Sequence, residues 1–197
     1  MTDSHARSRD LERFDALFMA HQRAILAYAM RRCVNVADAE DAAAETFTIA
    51  WRKIGHVPDD ALPWLYAVAR RVLANQRRGT GRRERLASLL RVEDVATPVR
   101  VGEDRDGPAF EALAAMRPAD QEILRLVAWE ELGNAQIARV LGISPNAVAI
   151  RLHRARARFA AALSARSRGG DLKYLDPTRT STMVKGTASA ASKGVAE

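Results

Sequence analysis

The segment from Trp129 to Arg158, WEELGNAQIARVLGISPNAVAIRLHRARAR, constrains the fold more than any other part of the chain. Apolar residues at Ile137, Leu141, Ile143, Val148 and Leu152 form one seam across two helical periods. Ala138 lets the two helices approach closely, and Gly142 lets the chain turn between them. Ser144 can accept a backbone N–H of the next helix as its N-cap. Pro145 follows at the first helical position, where a missing N–H costs nothing. These features predict a helix-turn-helix. Its second helix is strongly basic: from Ser144 to Arg168 there are six arginines (Arg151, Arg154, Arg156, Arg158, Arg166 and Arg168) and no carboxylate. Such a helix suits a polyanion, and this motif places its second helix in the DNA major groove. A glycine-joined helix pair and an arginine-rich solvated face are each common alone. Their combination with the cap and the absence of acids favours DNA.

The rest of the chain carries the helical period too, and no stretch alternates with the period of a strand. The expected fold class is all-α: two small helical domains joined by a flexible linker, the second being the helix-turn-helix domain. Leu11, Phe14, Leu17, Phe18, Ile25 and Tyr28 mark one face of a first long helix. A second helix is expected from about Val36 to Ile54, with Asp38, Glu40 and Asp41 in its first turns, where the helix dipole favours acids. A third is expected from about Leu62 to Arg78, with Leu65, Val68, Ala69 and Val72 buried and Gly79 and Gly81 ending it. The expected boundaries are a first domain over 10–81, a linker over 82–107, a second domain over 108–163 and a disordered tail over 164–197. The tail is small and polar, too poor in apolar surface to offset its ordering entropy.

Net charge is +7, with 31 Lys+Arg against 24 Asp+Glu. Nearly all of that positive charge is arginine, which suits bidentate contact with phosphates and guanine edges, although a GC-rich genome would produce the same bias. The single cysteine, Cys33, excludes an internal disulfide and reads as a reduced structural thiol. No apolar run reaches the roughly 18 residues of a membrane span, and the polar start MTDSHARSRD lacks a secretory hydrophobic region. A soluble cytoplasmic protein is the expectation.

Two further surfaces carry chemistry. LPWLYAVARRVLANQRR sets Trp64 and Tyr66 beside Arg70, Arg71, Arg77 and Arg78, with Asn75 among them. Bases of a single strand stack on rings while arginines follow the phosphates. Either aromatic could instead serve the core, and Tyr66 does so on even terms. DAEDAAAETFTIAWRKI places Asp38, Glu40, Asp41 and Glu45 on a helix whose apolar side includes Phe47, Ile49 and Trp51. An acidic helix is a poor DNA ligand. It is either a protein-docking face or a solvated face over an ordinary core.

In this order the three segments resemble bacterial sigma-70-type factors of the small extracytoplasmic-function (ECF) group, over about residues 10 to 163. The resemblance implies a subunit that binds RNA polymerase core and selects promoters. Asp38, Asp41, Glu45, Phe47 and Trp51 match the segment that docks on a coiled coil of the largest polymerase subunit. Trp64, Arg71, Asn75, Arg77 and Arg78 match the helix that captures the melted non-template strand at the minus-ten element. The loop from about Val57 to Pro63 matches the pocket for a flipped base. Asn146, Ala149, Ile150, Arg151, His153 and Arg154 match the minus-thirty-five reader in the major groove. The resemblance also implies promoter DNA and an anti-sigma protein as partners.

This chain departs from the pattern at Ala42 and Ala44, where the family often has Leu and Gln. It departs again at Ala149 and Ile150, where Arg and Ser are frequent. Ala149 cannot hold a phosphate, whereas Ile150 could meet a thymine methyl.

An autonomous helix-turn-helix regulator would explain residues 118–160 equally well but leaves the other two surfaces unused. No enzyme is expected, nor any cofactor or metal. The histidines His5, His21, His56 and His153 are scattered, and no glycine-rich phosphate loop occurs. The adjacent acids Asp59–Asp60 and Glu130–Glu131 do not share a helix face.

Overall fold

The computed structural model describes residues 2–90 and 107–173, and no strand occurs among them. Helices α1 (Thr2–Met30), α2 (Val36–Arg52) and α3 (Ala61–Leu90) form the amino-terminal group, with a 3-10 turn at Ile54–His56. Helices α4 (Pro108–Ala114), α5 (Pro118–Ala128), α6 (Asn134–Leu141) and α7 (Pro145–Lys173) form the carboxy-terminal group.

Local chemistry explains several boundaries. Asn35, in an extended conformation, accepts the Asp38 N–H at 2.7 Å and starts α2. α4 and α5 each open with proline at the first helical position. Gly107 precedes α4 at φ +121°, a conformation that strongly favours glycine.

α3 does not end at Gly79 and Gly81 as the sequence suggested; it continues to Leu90. Gly79 has no positive φ, and a glycine inside a helix costs only about 1 kcal/mol, too little to break one that flanking residues support. The first nine residues of the expected linker are therefore helical, while 91–106 lie outside the described residues. α7 likewise runs past Ser164 to Lys173, so the first part of the expected disordered tail is helix. The tail from 174 onward lies outside the described residues. No helix among the described residues is long and apolar enough to cross a membrane.

One buried apolar cluster runs from Ile25 and Tyr28 through Leu65 and Val72 to Ile123, Ile137 and Val148, so both groups of helices share it. α6 packs directly on α3. Beside that contact lies a buried charged network. Arg32 Nε donates to Glu122 Oε2 at 3.0 Å, and its Nη1 to Glu130 Oε1 at 3.0 Å. Arg31 Nη2 reaches the same Glu130 oxygen at 2.9 Å. The Tyr28 hydroxyl donates to Glu122 Oε1 at 2.9 Å, and the Arg32 guanidinium lies 3.5 Å from the Tyr28 ring centroid. Burial pushes the Tyr28 hydroxyl far above its ordinary pKa. Arg32 opposes that rise, while Glu122 adds to it.

Candidate nucleic-acid interface

The helix-turn-helix is built as its residues require. Gly142 sits at φ +67°, the left-handed cap that ends α6, and its N–H returns to Ala138 O at 2.9 Å. Ser144 Oγ accepts the Ala147 N–H at 3.2 Å and starts α7. Val148, Leu152 and Ala155 turn inward and are buried. The same period turns Asn146, Ala149, Ile150, Arg151, His153 and Arg154 outward, and all six are exposed. The expected major-groove residues thus share one open face.

Two neighbouring arginines do something else. Arg158 pairs with Asp120 at 2.8 Å and Arg166 with Glu111 at 3.5 Å, tying α7 back to α5 and α4. A run of arginines in sequence could not separate these structural ones from those facing outward.

On α3, Trp64, Arg71 and Asn75 line one cleft of about 790 Å³. Pro58 from the preceding loop lines it too, as do Arg52, Lys53 and His56. These last three were missed in the sequence, where they close the acidic helix and the turn after it; the adjacent cations Arg52 and Lys53 are the signal that could have found them. A ring beside several cations in an open cleft can hold an unstacked base and its phosphates.

Arg77 and Arg78 face a second cleft, shared with Arg70, Arg71 and Asn75. Arg78 donates to Asn75 Oδ1, and Arg77 Nη2 donates to Arg32 O at 2.9 Å. Tyr66 belongs to the core: it is 3% exposed, with its ring centroid 5.0 Å from that of Tyr28.

α2 separates its two faces. Asp38, Glu40, Asp41, Glu45 and Trp51 are exposed, whereas Ala39, Ala42, Thr46, Phe47 and Ala50 are buried. Phe47 therefore departs from the sequence reading. It is 5% exposed and packs edge-on against Phe18, with ring centroids 4.9 Å apart, so it supports the acidic face from behind and offers a partner no surface. Trp51 stays available, 40% exposed and edge-on to Phe14. Ala42 lies on the buried side of α2, fully shielded from solvent.

The family model described as Sigma-70 region 2 matches residues 17–83, and that described as Sigma-70, region 4 matches residues 109–159. The ECF RNA polymerase sigma factor SigL of Mycobacterium tuberculosis is 30% identical over 147 residues, covering 70% of this chain and 81% of SigL. The chain belongs to the ECF RNA polymerase sigma factors. This sigma factor is also 31% identical over 165 residues to the probable RNA polymerase sigma factor RfaY of Xanthomonas campestris pv. campestris, covering 78% of this chain. The match spans only 41% of the length of RfaY.

Among solved structures, the sigma factor RpoE, solved with the anti-sigma factor NepR from Bartonella quintana, superposes with a TM-score of 0.59 at 23% identity, covering 77% of this chain and 96% of RpoE. CnrH, solved with the cytosolic domain of CnrY, gives 0.55 at 24%, covering 77% of this chain and 88% of CnrH. At those identities the likeness is one of fold.

Proposed function

We propose that this sigma factor binds RNA polymerase core in the cytoplasm and directs it to a class of promoters. The observation that carries the reading is the separation of three faces on one chain: an acidic one on α2, a cationic aromatic cleft on α3 and an open basic face on α7. Asp38, Asp41, Glu45 and Trp51 would dock on core, with Phe47 holding their helix in place. Asn146, Ile150, Arg151, His153 and Arg154 would read the upstream element as duplex, with Ala149 leaving room for the groove wall. Trp64, Arg71, Asn75, Arg77 and Arg78 would hold the melted strand. The units doing this work would be 10–81 and 108–163.

Binding alone can supply the melting. Stacking one base on an aromatic ring is worth about 1–3 kcal/mol. Separating one base-pair step costs about 1.4 kcal/mol on average. Capturing one or two flipped bases therefore offsets the opening of the first steps, with no bond chemistry by this chain. Two DNA contacts on one polypeptide also raise effective concentration once core fixes their spacing. An anti-sigma protein is proposed as a further partner, supported by the solved complex of RpoE with the anti-sigma factor NepR.

The test is run-off transcription with purified protein and sigma-free core on a promoter library. Starts that share two upstream motifs and vanish without the protein are expected. Tight sequence-specific binding by the protein alone, with no core-dependent starts, would favour an autonomous regulator.

A further inference from the structure

Ile150 is the one large apolar side chain of α7 that stands exposed among the described residues, at 45%. The helical period fixes its direction. Val148 and Leu152, two positions away on either side, are both buried, and each lies about 160° around the helix from Ile150. Ile150 therefore points straight away from the core. Asn146 and Arg154, about one turn before and after it, share that side and are exposed. A single exposed apolar residue needs no explanation in most places. Here an isoleucine holds the middle of the outward stripe, between a polar residue and a charged one.

That position faces base edges. Ile150 is the sixth residue of α7, which begins at Pro145, and the first turns of a recognition helix are those that meet the bases. Isoleucine neither donates nor accepts a hydrogen bond, so the donors and acceptors of the major groove offer it nothing. The apolar feature of that groove is the methyl group at C5 of thymine. 5-Methylcytosine carries the same group at the same ring position. Pressing isoleucine against a base edge without a methyl group would strip water from polar atoms and replace it with nothing. Isoleucine also keeps essentially one χ1 rotamer in a helix, so it meets the groove with less ordering cost than a long arginine.

We propose that Ile150 is a specificity-determining residue that reads a pyrimidine 5-methyl group at one position of the upstream element. The contact takes thymine or 5-methylcytosine and disfavours unmethylated cytosine, so it also makes promoter choice responsive to cytosine methylation. This deepens the reading of α7 as the duplex reader and rests on it. Arg151, His153 and Arg154 supply charge and hydrogen bonds, while Ile150 reports a group that no hydrogen bond can detect.

The test uses full-length protein with core on a promoter recovered by run-off. Each thymine of the upstream element is replaced in turn by deoxyuridine, which keeps every hydrogen-bonding group and loses only the methyl. At one position the parent holoenzyme should bind about fourfold less tightly, the contribution of one buried methyl group. With Ile150→Ala, an exposed site whose substitution should leave the melting temperature unchanged, the same replacement should leave affinity unchanged. In a second arm that T·A pair becomes C·G, with and without a methyl group at C5 of the cytosine. Methylation should recover about fourfold in affinity with the parent and nothing with Ile150→Ala.

Tolerance of deoxyuridine at every position by the parent would overturn the proposal. So would a deoxyuridine penalty that survives Ile150→Ala, or a recovered element made only of G·C pairs. A deoxyuridine penalty without recovery by 5-methylcytosine would overturn the response to methylation and confine the contact to thymine. Transcript starts that share no upstream motif would instead overturn the reading of α7 on which the proposal rests.

Discussion

Replacing Gly142 by alanine isolates one energetic contribution in the turn that aims α7. The residue sits at φ +67° and ψ 39°, and an added Cβ would meet no atom within 4 Å. Neither clash nor new packing therefore contributes, and the cost is that of the backbone conformation. A left-handed residue with a Cβ costs about 1–2 kcal/mol. Alanine also restricts the unfolded chain, returning about 0.4–1 kcal/mol. The net loss should be about 1 kcal/mol. The midpoint should fall by about 4–8 °C if the carboxy-terminal helices melt as their own unit, or about 2–4 °C if the whole chain melts together. Gly142→Asn should cost less, because asparagine visits this region more readily. The assay is thermal unfolding by circular dichroism, with duplex affinity measured well below the transition. Affinity there should be unchanged, since the exposed face of α7 does not alter. An alanine variant as stable as the parent, or an asparagine variant worse than alanine, would refute the argument.

Phe47→Ala should cost about 3–5 kcal/mol in stability because its ring is buried against Phe18, whereas Trp51→Ala, which loses a half-buried ring and its edge contact with Phe14, should cost less, about 0.5–1.5 kcal/mol for that pair, and weaken binding to core; chemical denaturation and a core-binding titration distinguish the two. Arg154→Ala should lose about 1–3 kcal/mol at the cognate upstream element if its contact is bidentate, and an equal loss on random DNA would count against a base contact. Arg158→Ala removes an ion pair with Asp120 and should change stability by about 0–1 kcal/mol, leaving the preference for cognate over random DNA intact. Burial lowers the pKa of His21, although Asp60 pulls it the other way. Between pH 7 and 5 the unfolded chain binds the proton more readily than the folded one, so this residue removes stability as pH falls below about 6.5. His21→Gln should flatten that part of the melting profile, and an unchanged slope would exclude His21 as its source.

Helix-turn-helix geometry was legible because each of its parts has a short-range cause. Gly142, Ser144 and Pro145 act within a few residues, and the buried stripe of Val148 and Leu152 follows one period. The extents of α3 and α7 were not legible, because glycine and polar residues weaken a helix without forbidding it. Phe47 and Trp51 lie four positions apart on α2, yet one faces the core and the other solvent. An apolar pattern on a short amphipathic helix marks the buried side only to within about a residue. The contacts of Arg32 with Glu122 and Glu130 were beyond reach for a different reason. They join residues 90 and 98 positions apart, and a charged residue carries no periodic sign of the partner it will meet. The roles of Arg158 and Arg154 differ only through what lies opposite, which again is tertiary information.

The most direct measurement of the central claim is permanganate reactivity of thymines on a promoter recovered by run-off, with core and this sigma factor present. Unpaired thymines should appear near the start site with the parent protein. They should disappear with Trp64→Ala combined with Asn75→Ala, while protection of the upstream element by α7 persists. Normal melting by that double variant, or no unpaired thymines with the parent, would contradict the assignment of strand capture to α3.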